Sequence, residues 1–127
     1  MPKLDRFPLT RIVSTPALLD GIQTSTAAIV MRIAPDELFW LGSPAAPVIN
    51  DPHAIIEHDT SFVGTWLSTQ AATAWLSANC EWQLPTTRPV FAQGEVAGLP
   101  VKLWIEPRRM LVLVQQPFAA DLGERLQ

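Results

Sequence analysis

One alanine-rich helix, with short apolar strands on either side of it, does most to limit what this chain can fold into. Residues 68–79 carry strong helix formers behind a Ser68 or Thr69 cap. Ala72, Trp75, Leu76 and Asn79 recur at helical spacing, which predicts a buried stripe anchored by Trp75 and Leu76. Asn79 tolerates a left-handed closing conformation. Upstream, residues 27–33 and 38–41 flank Ala34-Pro35-Asp36-Glu37 and read as a hairpin, since proline suits that turn. Residues 53–57 and 61–67 flank His58-Asp59-Thr60 and read as a second hairpin. In the latter strand Phe62, Gly64 and Trp66 share one face, and Val63, Thr65 and Leu67 the other, so both faces are expected to be covered or one to be open to a neighbour.

Downstream, residues 90–97, 101–106 and 110–116 are three strands with connections short enough for an antiparallel meander. Phe118, Ala119, Leu122 and Leu126 mark a closing amphipathic helix. Residues 42–52, with three prolines, read as a surface loop. Residues 1–25 read as a proline-containing arm holding one helical turn, capped by Thr15, begun by Pro16 and ended by Gly21. The expectation is an arm and one α+β domain over residues 26–127, with a single antiparallel sheet and two main helices on one face.

At 127 residues, 48% hydrophobic, the chain buries roughly 65–70% of its unfolded surface without staples. No apolar run reaches the ~20 residues that span a bilayer, and Asp5 and two prolines break the N-terminal stretch a signal peptide requires. With Cys80 as the one cysteine, no internal disulfide forms, and a cytoplasmic location is expected. His53, His58 and Cys80 do not make a zinc site by themselves. The net charge is −3 and the only adjacent basic pair is Arg108-Arg109, so no basic stripe for nucleic acid is present. Five tryptophans (Trp40, Trp66, Trp75, Trp82 and Trp104) are either core and boundary residues or, in part, a partner surface.

Catalytic patterns are thin. Glu57-His58-Asp59-Thr60-Ser61 holds an acid, an imidazole and hydroxyls, but neighbours in an extended strand point to alternate faces, so it reads as a polar turn. Cys80 follows a helix C-terminus, where the dipole disfavours a thiolate. His53 has no partner at ligand spacing and is expected in solvent. Gly94 and Gly98 do not precede a helix, so they form no phosphate-cradling loop. Arg108 and Arg109 would grip an anion or form a solvated turn. No catalytic residue and no metal ligand is assigned.

Three segments in order carry a resemblance. Arg32-Ile-Ala-Pro-Asp-Glu-Leu-Phe-Trp-Leu41, the strand, Ala-rich helix and cysteine of residues 62–80 ending in Gln83-Leu84-Pro85, and residues 117–126 together resemble the gamma subunit family of heterotetrameric sarcosine oxidase. The resemblance covers most of residues 26–127. It implies a ferredoxin-like α+β arrangement similar to the N-terminal part of folate-binding aminomethyltransferase proteins. It also implies an accessory chain of a complex that oxidatively demethylates sarcosine, giving glycine, hydrogen peroxide and a one-carbon unit passed to tetrahydrofolate. FAD, FMN, NAD and tetrahydrofolate would then belong to the larger partner subunits, and the chain would hold no cofactor of its own. A homo-oligomer and a stand-alone folate-type binding module are the alternatives; Glu57, Asp59 or Glu95 would supply the acid such a pocket needs. An enzyme acting alone ranks last.

Overall fold

The alternation of apolar residues resolves into antiparallel strands in the computed structural model, which describes residues 3–23, 28–42 and 45–127. In chain order the strands are β1 (Asp5–Arg6), β2 (Leu9–Val13), β3 (Ile29–Ala34), β4 (Glu37–Leu41), β5 (Ile55–Asp59), β6 (Phe62–Ser68), β7 (Val90–Val96), β8 (Leu99–Ile105) and β9 (Arg109–Gln115). The helices are α1 (Pro16–Asp20), α2 (Thr69–Asn79) and α3 (Ala119–Arg125), the last led in by a 3-10 turn at Gln116–Phe118. The class is α+β. The strands divide into two antiparallel sheets where the sequence suggests one, and the chain into two compact units: Pro8–Thr60, and Ser61–Gln127 with the residues up to Phe7.

In the larger unit the sheet order is β1-β6-β9-β8-β7. Val63, Leu67, Val101, Leu103, Met110 and Val112 line one face, and Ala72, Trp75 and Leu122 from α2 and α3 close over it. The expected meander β7-β8-β9 is present. Its first turn, Ala97-Gly98, has φ of 54° and 78°, the positive pair a two-residue hairpin requires. Both faces of β6 are covered, and it crosses β9 so closely that a Cβ at Gly64 would meet the Val112 carbonyl. Helix α2 starts as expected: Ser68 Oγ accepts from Ala71 N at 3.2 Å. It ends differently. Asn79 donates its Nδ2 to Trp75 O at 2.9 Å, and the chain leaves in an extended conformation at Cys80 (φ −109°), with no left-handed residue.

In the smaller unit the order is β3-β4-β2-β5. The β3–β4 hairpin turns at Pro35-Asp36 as expected, although its expected beginning at residues 26–27 lies outside the described residues. Helix α1 has the predicted cap, Thr15 Oγ1 accepting from Leu18 N, and sets buried Leu19 against Ile12, Leu38 and Trp40.

Two further expectations need correcting. Leu9–Val13, read as part of an arm, is an inner strand paired with both β4 and β5. The prolines that suggested an arm stand at its borders, with Pro8 before β2 and Pro16 at the first position of α1, where a missing N–H costs nothing. Nor do β5 and β6 form a hairpin: β5 pairs with β2, and β6 with β1 and β9. Their surfaces explain the parting. Phe62–Thr65 are buried and match the buried apolar centre of β9, Met110–Val114, whereas Ile55–His58 are all exposed and suit an edge.

Candidate functional site

The pleat of the β7–β8 hairpin sorts its side chains into two sets. Ala92, Val96, Leu99, Val101 and Leu103 enter the core, so Gln93, Glu95, Pro100 and Lys102 stand on the opposite face. There they border a cleft of about 620 Å³, a volume within the usual range for small-ligand sites. Phe62 and Gln115, partners across β6 and β9, and Phe118 from the turn before α3 complete the wall. The cleft thus sets aromatic surface beside one carboxylate, Glu95, and one ammonium, Lys102. Lys102 Nζ donates to Gln93 Oε1 at 2.9 Å, which fixes the side chain along the hairpin. The backbone behind Glu95 is also held: its carbonyl accepts the Trp82 indole N–H at 2.8 Å, and Trp82 packs so closely on Gly94 that no Cβ fits there. A planar or apolar molecule with a hydrogen-bonding cationic edge and an anionic group fits this chemistry.

Of the three acids named from sequence, Glu95 lies on this cleft, while Glu57 and Asp59 belong to β5 of the smaller unit. Glu57 lies 3.4 Å from Arg11, which itself reaches Glu37 at 2.6 Å. His58 points to the other face of β5 from both acids, where it borders a separate cleft with Trp40 and Ile56. The Glu57–Ser61 cluster is therefore split by the pleat rather than gathered. His53 is exposed in a turn organised by Asp51, whose Oδ1 accepts the His53 backbone N–H at 2.9 Å. The same carboxylate accepts from Ser14 Oγ at 2.7 Å, and these two hydrogen bonds, Ser14 first, hold its pKa below the ordinary aspartate value. Cys80 is half-buried, its Sγ 3.3 Å from the Trp82 carbonyl.

The basic pair divides as well. Arg108 is exposed, whereas Arg109 is bound to Glu106 and stacks on Trp66. The tryptophans have structural partners: Trp75 Nε1 donates to Arg125 O at 3.0 Å and Trp104 Nε1 to Glu106 Oε2 at 3.0 Å. Trp40 is buried in the core of the smaller unit. Sequence reasoning found Glu95 but missed Lys102, Gln93, Gln115 and Phe118 as its neighbours. The signal was partly there, since a two-residue turn at Ala97-Gly98 fixes Gln93 opposite Lys102, whereas the longer Ala97–Pro100 connection read from sequence would have shifted that register; Phe118 depends on how the chain turns after β9. Among the described residues no helix is long and apolar enough to cross a membrane, and no group of three or more His, Cys, Asp or Glu gathers as a metal site requires. Compared with known proteins, the sequence matches no family model and no curated relative.

Proposed function

We propose that this chain is a non-catalytic accessory subunit, similar to the gamma subunit of heterotetrameric sarcosine oxidase, that joins larger flavoprotein subunits in the cytoplasm. The observation that supports the reading is how the resembling segments are built. Residues 62–80 are one strand–cap–helix unit ending on Cys80, and the 117–126 segment supplies the helix that locks onto it through Trp75 and Arg125. In this reading the flavins, nicotinamide nucleotide and tetrahydrofolate stay with the partner subunits, and this chain contributes packing surface. The test is purification of the tagged chain from native lysate under mild conditions. Co-elution of large subunits with flavin absorbance is expected; a chain that elutes colourless and alone refutes the reading.

One observation favours a second reading, a stand-alone folate-type binding module: Glu95 stands on a cleft of ligand size beside Phe62 and Phe118. A carboxylate there would accept from the amide and amino edge of a pterin, and Lys102 would face the anionic tail. Calorimetric titration with tetrahydrofolate decides this. Saturable heat that Glu95→Gln abolishes supports it, and the absence of heat at millimolar ligand removes it.

A further inference from the structure

Sheet edges expose unpaired backbone groups, and folded proteins usually blunt them. Three of the four edges here are blunted. β1 is two residues long. β3 has a register shift between Arg32 and Ala34, and the Arg32 guanidinium covers the carbonyls of Ala34, Pro35 and Pro16. β7 is closed by the Trp82 indole on Glu95 O, by Arg125 Nε on Ala97 O at 3.1 Å, and by Ala97 N on Asn79 O. Among the described residues no register shift interrupts β5 and no side chain closes the backbone of Ile55–His58. β5 ends the order β3-β4-β2-β5, no strand of the described residues lies beyond it, and it exposes Ile55 (45%) and Ile56 (53%) on its two faces.

We propose that β5 is a docking edge that accepts one extended strand from a partner protein, added antiparallel, with apolar residues opposite Ile55 and Ile56 and a Lys or Arg opposite Glu57. Strand addition satisfies the outward backbone groups and covers both isoleucines at once. Charge selects the partner. Arg11 is drawn to Glu37 at 2.6 Å and reaches Glu57 only at 3.4 Å, which leaves the 60%-exposed Glu57 carboxylate open to a second cation. The same charge acts against a second copy of this chain. Full-length antiparallel self-pairing of β5 places Glu57 opposite Glu57, and like charges directly opposite are destabilising. The proposal goes beyond the accessory-chain reading, because it holds whether or not the partner is a flavoprotein.

The test uses the full chain and two blocked peptides, Lys-Thr-Lys-Val-Val and Glu-Thr-Glu-Val-Val, titrated to millimolar at low salt and followed by backbone amide NMR. Shifts confined to residues 55–59 and their β2 neighbours are expected. The basic peptide should bind at least about fivefold tighter than the acidic one, a preference that Glu57→Gln halves or removes. Added salt should weaken the basic peptide alone. No shift at β5, equal affinity for both peptides, or shifts centred on β7 overturns the proposal. So does concentration-dependent broadening of β5 without peptide, with a dimer in sedimentation, because a second copy is then the occupant.

Discussion

The guanidinium carbon of Arg109 sits 3.6 Å from the centroid of the Trp66 ring. Its Nε donates to Glu106 Oε1 at 2.8 Å, and the other oxygen of that carboxylate accepts the Trp104 indole N–H. Trp66 and Trp104 both lie opposite Leu111, one on each side of β9, so a single row of large side chains crosses three strands. Arg109 thus fastens one end of the sheet by stacking and by charge rather than presenting itself to an anion. The ion pair alone is worth little, because the Arg109 side chain is half exposed. A double-mutant cycle of Arg109→Ala and Trp66→Leu, read by urea unfolding, should give a coupling of about 0.5–1 kcal/mol. Arg109→Lys should lose part of it, since an ammonium keeps the charge but loses the planar fork. Additive single effects would show that the stack contributes nothing.

Trp75→Ala should be far costlier. The indole fills the space between α2 and the sheet, is 8% exposed, and carries the hydrogen bond to Arg125 O. Removing a large buried aromatic costs about 3–5 kcal/mol. Trp75→Phe keeps most of the packing and loses the hydrogen bond, so about 1–2 kcal/mol is expected. Chemical unfolding of the three proteins checks the order; a Trp75→Ala cost below ~1 kcal/mol would place this residue among surface positions.

Two glycines of the larger unit, Gly98 and Gly64, separate backbone strain from sterics. At Gly98 (φ +78°) an added Cβ meets nothing within 4 Å, so Gly98→Ala should cost only the left-handed penalty of about 1–2 kcal/mol. At Gly64 the new methyl runs into the Val112 carbonyl, and backbone cannot step aside as a side chain can. Gly64→Ala should therefore cost clearly more than Gly98→Ala and perturb amides on both β6 and β9. Equal costs would mean that the two strands separate easily.

Elements whose local pattern and burial agree were legible in the sequence: the α2 stripe, the Thr15–Pro16 cap, the Pro35-Asp36 hairpin and the β7-β8-β9 meander. What was not legible depends on partners distant in sequence. The spacing of residues 53–67 fits a hairpin, and nothing local shows that β5 belongs with β2, some 46 residues earlier at Arg11–Glu57. The candidate cleft was legible in one residue, Glu95; its aromatic walls come from β6 and the turn after β9, which only the sheet order brings beside it.

The Ser14–Asp51 hydrogen bond should make the smaller unit sensitive to acid. Ser14 is buried after β2, and the Asp51 carboxylate also holds the His53 turn. Because its folded pKa lies below the unfolded value, its contribution is complete above the unfolded pKa and fades as pH falls through the folded one, below about pH 4. Carboxyl NMR should show Asp51 titrating at lower pH than an ordinary aspartate, and Ser14→Ala should move that midpoint up. An unchanged midpoint in Ser14→Ala would assign the shift to the His53 backbone contact instead.

Deleting residues 1–20 tests the place of the N-terminal segment. An arm would come away with only weakened association, since few apolar residues would be lost. The structure leads to a different outcome, because β2 is the strand that joins β4 to β5 and Ile12 is fully buried between α1 and the sheet. Without β2, β5 has no partner strand within its unit, and Leu38 and Trp40 lose both Ile12 and the Leu19 that α1 supplies. Losing several fully buried aliphatic contacts at about 2–5 kcal/mol each exceeds what a sheet of this size can absorb. Hydrogen exchange should therefore show residues 37–41 and 55–59 unprotected in the truncated chain, where the full chain protects the β2–β4 ladder. Native-like protection of those amides after truncation would return Leu9–Val13 to the status of an arm.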